Sequence, residues 1–121
     1  MGLGVYCPSV AADPASRQLW ARMQRISTSP AGAVAYTRVT CEFDIRRVLA
    51  TITVPTLVLH PSRDRAVPVE HGRYLAEHIP TATFVEIDSE DHVIWFSDAV
   101  HETASAITSF LTAHPTNTKP G

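Results

Sequence analysis

The first third of the 121-residue chain places apolar side chains at helical spacing. Asp13-Pro14 and Ser29-Pro30 each match a helix N-cap followed by proline at the first helical position. Asp44 matches a third N-cap and precedes a one-sided apolar stripe. The stripe consists of Ile45, Val48, Leu49 and Ile52. The pattern predicts three helices, of which the helix after Asp44 is the most regular.

The middle of the chain changes to strand patterns. The run 56–59 is apolar without alternation, which is typical of a strand covered on both faces in a parallel sheet flanked by helices. The polar stretch 60–64 is expected to form the loop that follows. A second strand is predicted over 83–87, where Glu86 marks a partly exposed position.

A helix is predicted after each strand. The first runs from near Pro68 to Ile79, where Pro80 stops it, and the second begins at about Asp98. A strand, a loop and a helix, repeated once, is the order of a parallel right-handed crossover, so the predicted fold class is α/β. Two parallel strands are few for independent stability. An apolar strand edge is therefore expected to be covered by a second copy or by a partner chain.

Composition narrows the classes of function. A net charge of −2 gives no basic footprint, so no nucleic-acid partner is expected. No apolar run approaches the roughly 18 residues that span a bilayer, and the N-terminus does not match a signal peptide, so no membrane association is expected. Cys7 and Cys41 match no metal or redox spacing. A cytoplasmic protein with reduced thiols, no metal and no cofactor is predicted.

Chemistry is expected in the loops after the two strands, because ligands of open parallel sheets bind at the carboxyl ends of the strands. Asp64 lies about five residues past the first strand and His92 a similar distance past the second. Parallel strands are about 4.8 Å apart, so the loops can converge. A carboxylate there would accept the Nδ1 proton of His92 and stabilise its imidazolium form. An ion pair of Asp64 with Arg63 or Arg65 stays open as an alternative.

Two further residue groups have alternative interpretations. One acidic stretch offers hard oxygen ligands and an imidazole, as a metal site would, although a solvated loop is the preferred interpretation. Its members are Asp88, Glu90, Asp91 and His92. Trp95, just beyond it, is expected to pack against the helices or the core.

Three segments resemble α/β-hydrolases. The segment 54–60, followed by Asp64 and Val67-Pro68, resembles their seventh strand and triad acid. The segment 84–87, followed by Asp91-His92, resembles their eighth strand and catalytic-histidine loop. The segment 29–49 resembles the helical cap of actinobacterial α/β-hydrolases, some of which are fused to nucleotide-cyclase or LuxR-type domains. The resemblance covers roughly residues 8 to 113.

The resemblance implies a partial α/β-hydrolase fold. A helical cap segment would occupy residues 1–43 and the C-terminal part of the hydrolase core residues 44–114. The polar tail 115–121 is predicted to be disordered because it has no large apolar residue. The implied activity is ester-type hydrolysis, with Asp64 as the triad acid and His92 as the general base.

The sequence departs from the family in one respect that matters for activity. It has five glycines, and no two of them bracket a serine in the Gly-x-Ser-x-Gly nucleophile elbow. The family's first six strands have no counterpart either. We therefore expect a protein that is inactive alone and acts on a small ester-like substrate only when another chain supplies the nucleophile. The alternative is a non-catalytic interaction module, or a homo-oligomer, that pairs through its exposed strand edge.

Overall fold

The computed structural model describes residues 2–115. Within them, two parallel strands form the sheet: β1 (Thr56–Pro61) and β2 (Ala82–Ile87), paired in register from Thr56 opposite Ala82 to Pro61 opposite Ile87. The α-helices are α1 (Leu3–Tyr6), α2 (Pro14–Ser27), α3 (Pro30–Glu42), α4 (Arg46–Leu49), α5 (Val69–His78) and α6 (Val100–Ala113). Short 3₁₀ turns cover Pro8–Val10 and Ile94–Phe96.

Helices α2 and α3 begin where the capping signals predict. The Asp13 carboxylate accepts the backbone N–H of Ser16 at 2.7 Å, and the Ser29 hydroxyl accepts that of Gly32 at 3.1 Å. Each bond satisfies a donor that the first turn of a helix leaves unpaired. Neither helix has a fully buried residue. Local capping therefore defines where these two helices begin.

The prediction of a regular helix from Asp44 to Ile52 is wrong in its extent. Helix α4 covers only Arg46–Leu49, and Asp44 supports its start by accepting the backbone N–H of Arg46 at 3.0 Å. The β-branched run 51–54 and the following Pro55 favour an extended backbone, so the helix ends early. Of the predicted apolar stripe, only Leu49 is buried.

The order β1, α5, β2, α6 confirms the predicted α/β fold class. Strand β1 extends two residues beyond its predicted end, through His60 and Pro61. The pairing with β2 holds them in the strand, and it continues in the bond from Ser62 N–H to the Ile87 carbonyl at 2.8 Å. Helix α1 and the two 3₁₀ turns were not predicted, because elements of three or four residues are too short to show a period.

The core lies where the helices meet the sheet. Its buried apolar residues are Leu3, Cys7, Leu49, Val58, Val69, Ile79, Ile87 and Ile94. Helix α5 approaches β1 closely at Gly72, where a Cβ atom would lie 2.7 Å from His60 Nδ1 and 2.9 Å from His60 Cβ. Glycine is therefore required at this helix position by the space that the histidine ring occupies.

Two further expectations concern the C-terminal tail and membrane association. The predicted disordered tail 115–121 lies outside the described residues except for its first residue. In the described part of the chain, no helix is long and apolar enough to cross a bilayer.

We predict that Gly72→Ala destabilises the protein. Overpacking against His60 costs about 1–3 kcal/mol, and the better helix propensity of alanine returns about 1 kcal/mol, so the net loss should be up to about 2 kcal/mol. Urea unfolding measures this difference. Gly4→Ala is the matched control, because a Cβ there meets only Ala11 Cβ at 3.9 Å. Equal stabilities for the two variants would contradict the packing assigned to Gly72.

Candidate active site

The loops after β1 and β2 are joined along their length by backbone hydrogen bonds. The N–H of Ser62 donates to the Ile87 carbonyl at 2.8 Å, and the N–H of Arg63 donates to the Ser89 carbonyl at 2.9 Å. The strand pairing therefore continues past the ends of the strands. It brings Asp64 and His92 to the same edge of the sheet.

The arginines beside Asp64 bind acidic residues of the second loop. Arg63 forms an ion pair with Asp88, and Arg65 forms one with Glu90 at 2.6 Å. The alternative that Asp64 pairs with one of these arginines is wrong. The arginine side chains are largely exposed, and an exposed ion pair contributes only about 0–1 kcal/mol. These pairs help to align the loops but do not determine the site.

The structure places Asp64 and His92 in direct contact. Nδ1 of His92 lies 2.7 Å from Oδ2 of Asp64. The Asp64 side chain has no solvent exposure, whereas that of His92 is 36% exposed. The other carboxylate oxygen, Oδ1, accepts the backbone N–H groups of Ala66 at 2.8 Å and Val67 at 3.0 Å. The carboxylate is thus fixed on one side by the turn that follows it and presents the other oxygen to the imidazole.

The environment of Asp64 lowers the pKa of its carboxyl group. Burial alone raises the pKa, but the hydrogen bonds from the Val67 N–H, from His92 and from the Ala66 N–H outweigh burial and bring the pKa below the usual 3.8. Asp64 is therefore a carboxylate at neutral pH and can only accept from His92. This fixes the proton of a neutral imidazole on Nδ1 and leaves the lone pair on Nε2.

A second histidine, His60, lies against the same carboxylate. Its Nε2 is 2.9 Å from the Val67 carbonyl oxygen and 3.5 Å from Asp64 Oδ2. Its ring is packed on the other side by Gly72. The sequence predicted a loop position for His60, and this contact with Asp64 was not predicted. Its only signal in the sequence is its position four residues before Asp64.

The N-terminal segment 6–9 covers the histidine loop from outside the sheet. The Tyr6 ring meets the His92 ring edge-on at a centroid distance of 5.6 Å, and the Val93 N–H donates to the Tyr6 carbonyl at 3.2 Å. Ser9 binds the Asp91 carboxylate through both its backbone N–H and its hydroxyl. No feature of the sequence indicated this contact, which joins residues more than eighty positions apart.

Tyr6 also forms one end of an open groove between α2 and α3. The groove has a volume of about 630 Å³, and the Tyr6 ring lies 5.8 Å from that of Trp20. Its lining is mainly apolar, with polar groups from α2 and α3. The lining residues are Tyr6, Trp20, Gln24, Ala33, Val34, Thr37 and Arg38. Of these residues, Tyr6 also contacts His92.

The four residues weighed as a metal site have separate partners. Asp88 binds Arg63, Glu90 binds Arg65, Asp91 binds Ser9 and His92 binds Asp64. Among residues 2–115, no three histidine, cysteine, aspartate or glutamate side chains are grouped as a metal site requires. The expected packing of Trp95 is also wrong, because its side chain is 63% exposed.

Cys7 is close to the site but is not an activated nucleophile. Its side chain is fully buried, and its sulfur lies 3.8 Å from the Val93 carbonyl oxygen. Burial raises the pKa of the thiol, and the neighbouring Asp91 carboxylate adds to the rise, so the reactive thiolate is disfavoured at neutral pH.

Comparison with known proteins finds ester hydrolases over part of the chain. No family model matches. Rhodomycin D methylesterase DauP of Streptomyces sp. (strain C5) is 43% identical over 58 residues, and rhodomycin D methylesterase DnrP of Streptomyces peucetius is 40% identical over 58 residues. Each match covers 48% of this chain and 19% of the relative, so the matched part is about a fifth of either methylesterase. This partial similarity supports a hydrolase-like relation.

We predict that Asp64→Asn reverses the tautomer of His92. The asparagine oxygen can still accept from Ala66 and Val67, so its amide nitrogen donates to Nδ1 and the ring proton moves to Nε2. Nitrogen-15 NMR of the imidazole distinguishes the two tautomers directly. An unchanged Nδ1–H tautomer in the variant would contradict the geometry at Asp64.

The same variant should show a defined pH dependence of stability. Because the folded-state pKa of Asp64 is lowered, the carboxylate stabilises the fold fully above pH 3.8 and loses this effect as the pH falls through the folded-state pKa. Hydrogen bonds to a charged group are about twice as strong as neutral ones, so Asp64→Asn, which replaces charged bonds by neutral ones, should be less stable by about 1–2 kcal/mol at pH 7. Urea unfolding should show the difference shrinking in acid.

Proposed function

We propose that this chain is the acid-and-histidine part of a carboxylic ester hydrolase, with Asp64 as the orienting acid and His92 as the general base. The observation that carries the proposal is the 2.7 Å contact between His92 Nδ1 and a buried carboxylate whose second oxygen is held by two backbone N–H groups. The partial similarity to two methylesterases agrees with it.

The pair is arranged to move a proton at Nε2. In the neutral imidazole, Nε2 carries the lone pair because Nδ1 donates to Asp64. It would accept the proton of an attacking hydroxyl group, Asp64 would stabilise the resulting imidazolium, and the same proton would then pass to the leaving alcohol. The sequence contains no Gly-x-Ser-x-Gly elbow, and the backbone N–H after the elbow serine would also contribute to the oxyanion hole, so the proposal assigns the nucleophile to another polypeptide segment.

The groove between α2 and α3 is the proposed place for the acyl part of the substrate. Its apolar walls favour a flat apolar group, and Arg38 offers one cationic contact. The ester bond would then lie beyond Tyr6, towards His92. We propose a small carboxylic ester with an apolar acyl group as the substrate class.

The isolated chain is proposed to be inactive, because the missing groups carry most of the catalytic effect. In subtilisin, loss of the nucleophile alone lowers kcat by about 2 × 10⁶. Esterolysis by the chain alone should therefore stay near the rate of free imidazole at equal concentration.

Complementation tests the proposed function. Co-expression with the part of the DauP methylesterase that lies outside the 58 matched residues should give hydrolysis of a p-nitrophenyl ester. His92→Ala should abolish it, and Asp64→Asn should lower kcat by about 10⁴, as loss of the correct tautomer does in a serine protease. His78→Ala is the control, because this exposed histidine stacks on Tyr74 of its own helix and hydrogen-bonds to the Tyr74 carbonyl. Activity that survives His92→Ala would disprove the assignment.

A second proposed function, self-association or partner binding, follows from the edges of the sheet. The N–H groups of Thr56 and Ser62 point to β2, since they bond to the carbonyls of Thr81 and Ile87. Backbone groups alternate in direction along a strand, so those of Leu57 and Leu59 point to the outer edge of β1. This edge has no charged side chain between Thr56 and Leu59 to oppose pairing.

Amide hydrogen exchange tests whether that edge is covered. In a monomer, the Leu57 and Leu59 amides should exchange much faster than those of Val58 and His60, which face β2. If copies pair through β1, raising the protein concentration should protect Leu57 and Leu59 and leave the inner amides unchanged. Fast exchange at all concentrations, together with a monomer in sedimentation, would exclude self-pairing.

A further inference from the structure

We propose that Ser9 and Asp91 form a clamp that positions His92 for proton transfer. The clamp rests on the proposed function, because it assigns a purpose to the placement of the histidine. Asp91 does not touch the reacting atoms and acts through its neighbour His92, so both clamp residues are positioning residues.

The clamp closes on both sides of His92. On one side, the Asp91 carboxylate accepts the Ser9 backbone N–H at 3.0 Å and the Ser9 hydroxyl at 2.5 Å. On the other side, the Val93 N–H donates to the Tyr6 carbonyl at 3.2 Å. The backbone at His92 is therefore attached to segment 6–9 at the residue before it and at the residue after it.

Because Asp91 is buried, its carboxylate depends on Ser9 for hydrogen bonds. Asp91 is only 1% exposed. The other acidic residues of the loop, Asp88 and Glu90, instead form ion pairs with exposed arginines. A buried carboxylate needs hydrogen-bond donors, and both donors to Asp91 come from Ser9. If Ser9 moves away, Asp91 must turn towards solvent, and that turn carries His92 with it.

A hydrogen bond to Asp64 does not by itself fix the histidine. It restrains one ring nitrogen, while the backbone of the loop sets where Nε2 points. Proton transfer requires the base within about 2.6–3.2 Å of the hydroxyl group that it deprotonates, so a shift of the loop by an ångström lowers the rate. The clamp supplies the restraint that the carboxylate contact lacks.

Cys7 provides a direct reporter of the clamp. It lies between Tyr6 and Ser9, is fully buried and faces the Val93 carbonyl. Opening of the clamp would expose its thiol. Cys41 is exposed and can be removed as Cys41→Ser, so that Cys7 is the only thiol in the chain.

The experiment compares Ser9→Ala and Asp91→Asn in the Cys41→Ser protein, each in the full 121-residue chain. Two readouts are measured: the rate at which a thiol reagent labels Cys7, and the downfield proton resonance of the His92 Nδ1–H. Both variants should raise the labelling rate about tenfold or more, as expected when a hydrogen bond to a charged group is lost. Both should also broaden or shift the Nδ1–H resonance.

The chain contains a matched control. Ser16 binds Asp13 through its backbone N–H and its hydroxyl, as Ser9 binds Asp91, but at the exposed start of α2. Ser16→Ala and Asp13→Asn should leave both readouts unchanged, and Ser9→Thr, which keeps the hydroxyl, should restore them. An unchanged Nδ1–H resonance in Ser9→Ala would overturn the clamp. If Asp91→Asn does not fold, Ser9→Ala still decides.

An activity arm separates the clamp from the proposed function. In the protein complemented with a nucleophile, Ser9→Ala should lower kcat about tenfold and leave KM unchanged, because the clamp residues do not line the groove. If Ser9→Ala changes neither the Nδ1–H resonance nor the labelling of Cys7, the clamp is refuted whatever the activity. Absence of activity in the complemented wild-type protein, with those effects intact, refutes the proposed function instead.

Discussion

The site depends on one constraint, which is that a carboxylate without solvent exposure must be fully hydrogen-bonded. Asp64 meets it with two backbone N–H groups on one oxygen and His92 on the other. Each donor comes from a position that the fold must hold. The turn 64–67 supplies the backbone groups, and the register between β1 and β2 brings the histidine within 2.7 Å. An uncompensated buried charge is costly, so the strand register, the turn and the histidine rotamer are all coupled to one side chain.

The elements around Asp64 and His92 could be predicted from the local sequence. The strands, the crossover helix α5 and the loop positions of Asp64 and His92 follow from short-range signals: an apolar run, a proline, a helical stripe and a polar loop. Parallel pairing of consecutive strands then brings the two loops to one edge. The catalytic roles came from the resemblance and stay a prediction, and the loop positions alone left an ion pair of Asp64 with Arg63 or Arg65 open as an alternative to the contact with His92.

What the sequence did not predict depends on contacts between distant residues. Segment 6–9 carries no periodic signal, and its pairing with loop 91–93 depends on tertiary packing alone. The end of β1 was misplaced for a similar reason, since His60 and Pro61 are polar or strand-breaking locally but are held by β2. Helix α4 failed in the opposite direction: its apolar stripe was regular, yet the β-branched run after Leu49 and Pro55 ended it. Helix and strand propensities are overridden where a neighbouring element supplies a packing or hydrogen-bonding partner, or where none is available.

The contacts that fix the position of His92 are relevant to how a nucleophile from another segment could act with it. Every group that orients His92 lies within residues 6–93: Asp64 holds Nδ1, Tyr6 lies against the ring, and Ser9 holds Asp91. Under the proposed function, the base would therefore be set before a nucleophile arrives, and the hydroxyl group that meets Nε2 would come from another segment. A preorganised base costs little further ordering at the moment of reaction, which is the condition under which joining two polypeptide segments can restore activity. Among residues 2–115 the outer edge of β1 pairs with no strand, so a parallel strand added there would place its carboxyl end, where such folds carry their chemistry, at the same edge of the sheet as Asp64 and His92.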